Sequence, residues 1–410
     1  MTTKGEQSRT GDDLQALFVC LEIGMHVKPV LRPIYLDYQA STPLCAAAWS
    51  RMKALYETDC ANPHSANHAA GWKAAAIVET AREEVATLIG SDEDEIVFTS
   101  GASEANNLAI LGLARGNETG RKRVLLSATE HKCVLAAGRQ LEAEGYIVEH
   151  IPVNQFGLVD VEKFKSMLSD DVLLVSVMTV NNEVGTIQDI KALVDISHGF
   201  GALFHTDAAQ APVTLKLDVL ESGVDLLSLS AHKMYGPKGI GALFVRRDIK
   251  DRIQPIIFGG GQEYGLRGGS LPTQLCAGFG SAAGFLQSNF DETVEKTKSL
   301  RDRFWGKLTE AYSDIVLIGS DLDCRHAGNL SIYLPRIVSS DHLIQMLQPN
   351  VAISSGSACS SGFPEPSHVI AHICSDEAAW SRTVRVSFGY QLTAGDVDAA
   401  VEHLLSKLSL

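Results

Sequence analysis

The chain has 410 residues, of which 45% are hydrophobic and 20% are charged, and its formal net charge is −14. This length exceeds one compact core, so we expect roughly two domains. The acidic balance argues against direct nucleic-acid binding, which requires a basic face, and it gives no support to binding at an anionic membrane surface. No apolar run approaches the roughly 20 residues that a transmembrane helix requires.

The N-terminal segment is not typical of a secretory signal. Its apolar stretch at 14–24 follows Asp12 and Asp13 and is interrupted by Glu22, whereas a signal peptide has a basic start and an uninterrupted apolar core. The cysteines are scattered and no Cys-x-x-Cys occurs, so neither a zinc site nor a thioredoxin-type motif is predicted. We therefore expect a cytoplasmic protein with reduced thiols, in which residues 1–42 form a leader and a segment that joins a small domain.

The first predicted elements alternate between helix and strand. In residues 72–89 apolar side chains recur at helical spacing, and Gly90 follows as a C-terminal stop. EIVFTS is a predicted strand, and a helix that begins in GASEANNLAILGLA follows it directly. VLLSA at 124–128 is the next predicted strand, and a helix follows from about 131 to 144.

Four further apolar segments are predicted strands of the same sheet: 172–180 (VLLVSVMTV), 202–208 (ALFHTDA), 226–230 (LLSLS) and 240–245 (IGALFV). Helical segments lie between several of them. This alternation predicts an α/β fold with a mostly parallel sheet, in which ligands bind beyond the carboxyl ends of the strands. The polar sequences SGAS, TEHK, NNE, DAAQ and SAHK follow predicted strands at those ends.

The pattern changes from about residue 285. DETVEKTKSLRDRFWGKLTEAY is a predicted long amphipathic helix, shorter strands and the strand VRVSF follow, and a last helix begins at Thr393, which can form a capping box with Asp396. We expect a large domain over 43–290 and a smaller α+β domain over 291–410.

Several polar residues at the predicted strand ends could form a site, although each has an ordinary explanation by itself. The turn SGAS at 100–103 precedes a helix N-terminus, which favours an anion, and it matches neither GxGxxG nor a Walker A loop, so a small phosphate ester fits better than a nucleotide. Taken alone, Asp207 would be a turn carboxylate, His131 a helix cap and Lys233 a surface lysine.

Together, these residues are typical of a pyridoxal phosphate site. The chemistry requires a lysine that forms a Schiff base with the cofactor, here Lys233. It requires a carboxylate, here Asp207, that keeps the pyridine nitrogen protonated so that the ring accepts electrons. A histidine such as His131 can stack on the ring and transfer protons.

A series of motifs, in order from about Ile34 to Leu408, resembles the cysteine desulfurases of the NifS/IscS group. They are YLDYQAST, NPHSANHAAGWKA, EIVFTSGASEANNLAI, TEHKCVL, VNNEVGTIQDI, HTDAAQA, SAHKMYGPKGIGAL, GGGQEYGLRGGSLPT, SSGSACSSGFPEPSHVI and VRVSFG. These enzymes are class V members of the fold-type I pyridoxal phosphate enzymes. The resemblance implies a large domain with a mostly parallel seven-stranded sheet flanked by helices, and a smaller α+β domain that carries a catalytic cysteine loop.

The resemblance also implies the cofactor contacts. Lys233 would carry the Schiff base, Asp207 would pair with the pyridinium, Gln210 would bond the phenolic oxygen, and His131 would stack on the ring. The residues implied to hold the phosphate are Ala102, Ser103, Ser230, His232 and, from the other subunit of a homodimer, Ser270.

For the substrate, L-cysteine, the resemblance implies that Asn182 and Arg385 bind the carboxylate. The planar fork of arginine suits a carboxylate because it can donate two parallel hydrogen bonds. Asn182 is also counted among the cofactor contacts. Ser103 and Ser270 stand where many relatives have threonine, and we expect little change because the hydroxyl is kept.

Cys359 lies in the segment ISSGSACSSGFPEP, whose small residues are typical of a functional loop. The resemblance implies that its thiolate attacks the sulfur of L-cysteine, releasing L-alanine and leaving a persulfide for an acceptor protein of unknown identity. We predict no resident metal, and only transient ligation of an iron–sulfur cluster by Cys359. We interpret the remaining cysteines, Cys133 and Cys276 among them, as structural.

Several alternatives stay open. Within the enzymes, a selenocysteine lyase or another class V lyase or transaminase is the nearest alternative to a cysteine desulfurase. A non-catalytic adaptor of a sulfur-transfer complex is the alternative of a different class, and the presence of both Lys233 and Cys359 argues against it. The sulfur acceptor could belong to iron–sulfur cluster assembly, tRNA thiolation or DNA sulfur modification.

Overall fold

The computed structural model describes residues 33–355 and 367–408. Its main layer is a seven-stranded sheet. The strands are β2 (Ile96–Thr99), β3 (Arg123–Ser127), β4 (Ile147–Ile151), β5 (Val172–Ser176), β6 (Leu203–Asp207), β7 (Leu226–Ser230) and β8 (Gly241–Val245). Their spatial order is β2-β8-β7-β6-β5-β3-β4. Strands β3 to β7 are parallel, whereas β8 pairs antiparallel with both β2 and β7, so the predicted mostly parallel sheet is confirmed.

Helices flank this sheet and shield it from solvent. They are α1 (Ala46–Thr58), α2 (Ala69–Ile89), α3 (Ala102–Asn107), α4 (Leu113–Arg115), α5 (Lys132–Ala143), α6 (Val161–Met167), α7 (Ile190–His198), α8 (Val219–Ser222), α9 (Thr273–Ala311), α10 (Ser340–Leu347), α11 (His368–Ile373), α12 (Glu377–Arg382) and α13 (Ala394–Leu408). A π-helical turn joins α3 to α4. None of these helices has the length and hydrophobicity that crossing a membrane requires.

The central strands consist mostly of apolar residues because both faces of the sheet are covered. Every residue of β5, β6, β7 and β8 is buried. Successive side chains alternate between the two faces, as strand geometry requires. On β3, for example, Leu125 packs in one core, while Val124 and Leu126 pack in the core on the opposite face. Polar side chains inside the strands, such as His205 and Ser228, bond each other across the sheet, so the polar groups available to a ligand lie at the strand ends.

Two helix ends follow the local signals in the sequence. Helix α2 ends at Gly90, which takes a left-handed conformation with φ of 69° that glycine adopts without steric cost. Helix α13 begins after a reciprocal cap, in which the Thr393 N–H donates to Asp396 Oδ2 at 2.8 Å and the Asp396 N–H donates to Thr393 Oγ1 at 3.1 Å. Both predicted boundaries are therefore confirmed.

The strand predicted over 172–180 is shorter in the structure. Strand β5 ends at Ser176. Beyond it the Met178 N–H donates to Glu130 Oε1 at 2.6 Å, and the Thr179 N–H donates to the carbonyl of Asp207 at 3.0 Å. The apolar run continues because this segment is still buried, but its backbone bonds to groups at the strand ends instead of continuing the ladder.

A smaller sheet lies beyond the long helix α9. Its strands are β9 (Val316–Leu317), β10 (Asn329–Tyr333), β12 (Ser354–Ser355) and β13 (Thr383–Ser387), in the order β12-β13-β10-β9 with antiparallel pairing. In addition, the first described strand, β1 (Ile34–Tyr35), pairs in parallel with β11 (Val351–Ala352). The N-terminal segment thus pairs with the C-terminal part of the chain.

The predicted domain boundary at 290/291 falls inside helix α9. Asn289 departs from helical geometry, with φ of −125° and ψ of 20°, so the helix changes direction beside that boundary. Before this point α9 packs closely on α2: a Cβ added at Gly280 would lie 2.8 Å from Ala81 Cα. The division into 1–42, 43–290 and 291–410 remains a prediction.

One buried ion pair ties helix α2 to strand β2 and to the loop before α9. Arg82 donates from Nη1 and Nη2 to the two carboxylate oxygens of Glu263, at 2.8 and 2.7 Å. Arg82 Nη1 also donates to the carbonyl of Ile96, and the Phe98 N–H donates to Glu263 Oε2. Only 3% of the Arg82 side chain and 1% of the Glu263 side chain are exposed. Water therefore cannot replace either partner.

We predict that Glu263→Gln lowers the free energy of unfolding by about 3 kcal/mol, because it removes the buried charge partner of Arg82 and leaves the guanidinium only the half-exposed carboxylate of Glu79. Urea unfolding followed by circular dichroism measures the loss. The control is Asp195→Asn, which breaks the exposed pair with Lys191 and should change stability by less than about 0.5 kcal/mol. Equal losses in the two variants would contradict a structural role for the buried pair.

Candidate active site

The polar residues at the strand ends surround a cavity of about 480 Å³. Among its lining residues are the following predicted site residues: Ala102, Ser103, His131, Asn182, Asp207, Gln210, Ser230, His232, Lys233 and Arg385. Ser270 is exposed and does not line this cavity. Cys359 lies outside the described residues. The roles of all these residues remain predictions.

Asp207 is held in the cavity by donors from the backbone and from helix α3. It is the last residue of β6 and is 5% exposed. Its Oδ2 accepts a 2.7 Å hydrogen bond from Asn106 Nδ2, and its Oδ1 accepts a 2.9 Å bond from the Ala209 N–H. Both donors are neutral, so they orient the carboxylate without cancelling its charge. Sequence reasoning missed Asn106, whose only signal was its position in the motif SEANN.

The turn after β2 presents backbone N–H groups to the cavity. Gly101 has φ of 150°, and the first intrahelical bond of α3 is donated by the Ala105 N–H to the Gly101 carbonyl. The N–H groups at the start of α3 have no acceptor within the helix, which favours an anion there. Glu104 is neutralised beside this turn, because Arg267 Nε donates to its carboxylate at 2.8 Å.

Lys233 follows β7 in a single 3₁₀ turn, Ala231–Lys233. Its Nζ donates to the carbonyls of Gln39 and Ala40, at 2.6 and 2.8 Å, in the segment after β1. The Nδ1 atom of the neighbouring His232 lies 3.2 Å from Ser41 Oγ. Burial, together with the charges of Lys233 and Lys238, lowers the pKa of His232 to about 4. His232 is therefore neutral at neutral pH.

His131 is the N-cap of helix α5, and this role fixes its ring. Its Nδ1 accepts from the Cys133 N–H at 3.2 Å and lies 2.9 Å from Cys133 Sγ. Burial lowers the pKa of His131; the charge of Asp207 opposes that change and the charge of Lys233 adds to it. A neutral imidazole whose Nδ1 accepts a hydrogen bond carries its proton on Nε2. His131 is thus a donor at Nε2.

Cys133 was interpreted from the sequence as a structural cysteine, but the structure places it in the wall of the cavity. Asn106 Nδ2 lies 3.2 Å from its sulfur. Burial and the nearby charge of Asp207 raise the pKa of the Cys133 thiol to about 12. The thiol is therefore protonated and is a poor nucleophile. Cys276, by contrast, is fully buried in helix α9.

Arg385, on strand β13, connects the smaller sheet to the cavity. Its Nη1 donates to the backbone carbonyl of Asn182 and its Nη2 donates to Asp37 Oδ1, both at 2.7 Å. These contacts hold the guanidinium in one orientation. Asp37 was missed at the sequence level, because its partner is 348 residues away in the chain. Ser354 Oγ donates to the other oxygen of Asp37 at 2.7 Å.

Two further buried carboxyl groups surround the site and were not predicted. Burial and the charge of Asp207 raise the pKa of Glu130 well above its usual range. Burial raises the pKa of Glu183 to about 7, although the Ser367 hydroxyl and the charge of Arg385 act to lower it. Ser367 donates to Glu183 and also caps helix α11.

The residues that line the cavity fit pyridoxal phosphate. Asp207 is a buried carboxylate with neutral donors, which suits a protonated ring nitrogen, and the N-terminus of α3 suits a phosphate. Lys233 lies between them at the end of β7. In residues 33–355 and 367–408 no group of three or more His, Cys, Asp or Glu side chains is arranged to hold a metal ion.

Comparison with known proteins identifies the class. The family described as aminotransferase class-V matches residues 34–400. The protein named cysteine desulfurase IscS from Rickettsia bellii is 41% identical over 380 residues, covering 93% of this chain and 92% of that protein. A solved structure described as a NifS-like protein superposes with a TM-score of 0.85 at 30% identity, covering 92% of this chain and 100% of the other.

A second solved structure, described as SspA in complex with cysteine, has a TM-score of 0.74 and 36% identity over 86% of this chain and 98% of the other. The chain belongs to the class-V aminotransferase family of pyridoxal phosphate enzymes. Within that family it belongs to the cysteine desulfurases of the IscS and NifS kind. The family, the fold and the cofactor predicted from the motifs are thereby confirmed.

We predict that Asp207→Asn weakens retention of pyridoxal phosphate by about tenfold or more. A carboxamide cannot balance a protonated ring nitrogen, and hydrogen bonds to charged groups contribute roughly 1.5–3 kcal/mol. The amide also has one acceptor oxygen, so either Asn106 or Ala209 loses its bond.

Dialysis followed by visible absorption of the bound cofactor measures the retention. Asp218→Asn is the matched control, because Asp218 caps helix α8 away from the cavity and asparagine also caps well. If Asp207→Asn retained the cofactor as well as the control does, Asp207 would be only a turn residue with no contact to the cofactor.

Proposed function

We propose that the protein is a pyridoxal phosphate-dependent cysteine desulfurase that converts L-cysteine to L-alanine and leaves the sulfur as a persulfide on Cys359. The observation that carries the proposal is the single cavity in which Lys233, Asp207 and His131 meet Arg385. The first three suit the cofactor, and the arginine suits the carboxylate of an amino acid. Family membership agrees with this activity, because the similar proteins carry the name cysteine desulfurase.

The cofactor would be held at both ends. Asp207 would bond the ring nitrogen, while Ser230, His232 and the N–H groups of Ala102 and Ser103 would bind the phosphate. When bound, pyridoxal phosphate supplies an electron sink for the negative charge that develops on the substrate. Gln210 would bond the phenolic oxygen, and its Nε2 already points away from the solvent, donating to the carbonyl of Gln39 at 2.9 Å.

The substrate would be oriented by its carboxylate. Arg385 is 5% exposed and fixed by Asp37 and by the Asn182 carbonyl, so it binds an anion with little further loss of side-chain freedom. His131, with its proton on Nε2, would donate a proton on the ring side of the cavity. Lys233, at the end of β7, would move protons at the substrate carbon once its amine is displaced.

Sulfur transfer would be a displacement at the sulfur of the substrate. The Cys359 thiolate forms a bond to that sulfur as the carbon–sulfur bond breaks, and the electron pair of the broken bond ends in a C–H bond of L-alanine. The product on the protein is the persulfide. Since burial keeps the Cys133 thiol protonated, Cys133 does not compete in this step.

A homodimer would complete the site. Ser270 would reach the phosphate of the partner subunit, and it is exposed in this chain. Large apolar side chains are exposed on α2 and on the loop that precedes α9, namely Trp72, Phe258 and Tyr264, with exposures of 61, 83 and 52%. Exposed aromatic groups of this size are typical of an interface. We expect the second copy of the chain to cover them.

The sulfur acceptor is a protein of iron–sulfur cluster assembly, tRNA thiolation or DNA sulfur modification. In cluster assembly Cys359 would ligate an iron–sulfur cluster only transiently. We place the protein in the cytoplasm, where a catalytic thiol stays reduced between turnovers. No nucleic acid or membrane partner is part of the proposal.

Cys359→Ser tests the proposal. The variant should bind pyridoxal phosphate and respond spectrally to L-cysteine, because no cofactor contact is changed. It should release no sulfide under reducing conditions and carry no persulfide by mass spectrometry, since a hydroxyl is a much weaker nucleophile toward sulfur. Cys324→Ser, at an exposed cysteine, is the control and should release sulfide at the wild-type rate. Sulfide release by Cys359→Ser would contradict the proposed nucleophile.

A further inference from the structure

Gln39, which lines the cavity, has a buried hydrogen-bond donor without a partner in the described part of the chain. The residue lies in the segment after β1, is 1% exposed and lines the cavity together with Asn182 and Arg385. Its Oε1 accepts a 2.6 Å hydrogen bond from Asn329 Nδ2. Its Nε2 is fully buried and meets no acceptor among the residues that the structure describes. The motif YLDYQAST contains Gln39, but the sequence gave no reason to assign it a role.

The orientation of this amide follows from its neighbours. Arg325 has only donors, and its Nη1 donates to Asn329 Oδ1 at 3.2 Å. Asn329 must therefore turn its oxygen to Arg325 and its nitrogen to Gln39. Gln39 must in turn offer its oxygen to Asn329, which leaves Nε2 without an acceptor from these neighbours. The carbonyl of Glu183, 3.1 Å from Asn329 Nδ2, fixes the same orientation because it can only accept.

A second unpartnered donor lies in the same cavity. Arg385 uses Nη1 and Nη2 for its protein contacts, and its buried Nε has no acceptor in the described part of the chain. The main chain brings the segment of Gln39 beside strand β13, because Asp37 forms a β-bridge with Ser387 and the Gln39 N–H donates to Ser387 Oγ at 3.0 Å. Asp37 is two residues before Gln39, and Ser387 is two residues after Arg385.

Two buried donors without acceptors are unfavourable unless a ligand supplies the acceptor atoms. A carboxylate fits both, since each of its oxygens accepts hydrogen bonds and its charge suits the guanidinium. A phosphate would also accept, but the N–H groups at the start of α3, on a different wall of the cavity, already suit that group. The backbone carbonyl of Gln39 accepts from Lys233 Nζ at 2.6 Å, so the residue adjoins the lysine of the candidate site.

We propose that Gln39 is a substrate-binding residue whose Nε2–H donates to the carboxylate of the amino-acid substrate beside Arg385. The inference rests on the proposed function and names a second donor for the same substrate. It also gives Asn329 a positioning role, since Asn329 determines which end of the Gln39 amide faces the substrate.

The first test uses Gln39→Leu and a pair of ligands that differ only in the carboxylate, L-alanine and ethylamine. Each is titrated into the holoenzyme, and the visible absorption of the cofactor reports binding. Loss of a hydrogen bond to a charged group should raise the Kd for L-alanine by about tenfold or more, and should change the Kd for ethylamine by less than about twofold. Gln39→Glu keeps the contact with Asn329 but adds a negative charge, so it should weaken L-alanine binding further.

The second test changes the orientation of the amide and leaves Gln39 itself in place. Asn329→Asp gives buried Arg325 a carboxylate partner, so we expect the protein to fold. The new carboxylate offers no donor to Gln39, whose amide should turn its Nε2 away from the cavity and present an oxygen to the substrate instead. Binding of L-alanine should weaken by about tenfold, with ethylamine again unaffected.

The outcomes separate this inference from the proposed function. If wild-type holoenzyme gives no spectral response to L-cysteine and releases no sulfide, the proposed function is wrong. If the wild type responds, but Gln39→Leu and Asn329→Asp bind L-alanine as tightly as the wild type, Gln39 does not contact the carboxylate. An equal loss for L-alanine and ethylamine would also overturn the assignment, because a general distortion of the cavity would then explain it.

Discussion

The hydrogen bond from Asn106 to Asp207 is the contact on which the rest of the site depends. A carboxylate at the end of a buried strand is costly unless donors surround it, and the donors must be neutral if its charge is to serve a ligand. Asn106 and the Ala209 N–H meet both conditions. Asn106 lies in helix α3, whose N-terminus would bind the phosphate, so one short helix would serve both ends of the cofactor.

The charge of Asp207 also influences the protonation of its neighbours. It raises the pKa of both Glu130 and Cys133, although burial is the larger cause for both groups. His131 is neutral and carries its proton on Nε2, because its other nitrogen caps helix α5. The immediate neighbours of the Asp207 carboxylate, namely Asn106, His131 and Cys133, are therefore neutral. Such an arrangement suits a cofactor whose ring nitrogen is cationic.

Sequence reasoning located the parts of this site that depend on local pattern. The strand ends are punctuated by polar residues, and the motifs around Lys233, Asp207 and His131 sufficed to predict a common cavity. The sequence could not reveal contacts made by pairing of distant segments. Asp37 meets Arg385 only because β1 and β13 approach each other, and Gln39 meets Asn329 across 290 residues. A buried apolar run also gave one wrong strand boundary: the strand was predicted over 172–180, but β5 ends at Ser176.

The central claim is that the cavity holds pyridoxal phosphate on Lys233, and one measurement tests it most directly. Borohydride reduction of the purified holoenzyme converts a lysine–cofactor linkage to a stable amine, and peptide mass spectrometry then locates it. We expect the added mass on the peptide that contains Lys233, with no other lysine modified. Cofactor mass on a different lysine, or none on any lysine of a protein that binds the cofactor, would contradict the assignment of this cavity.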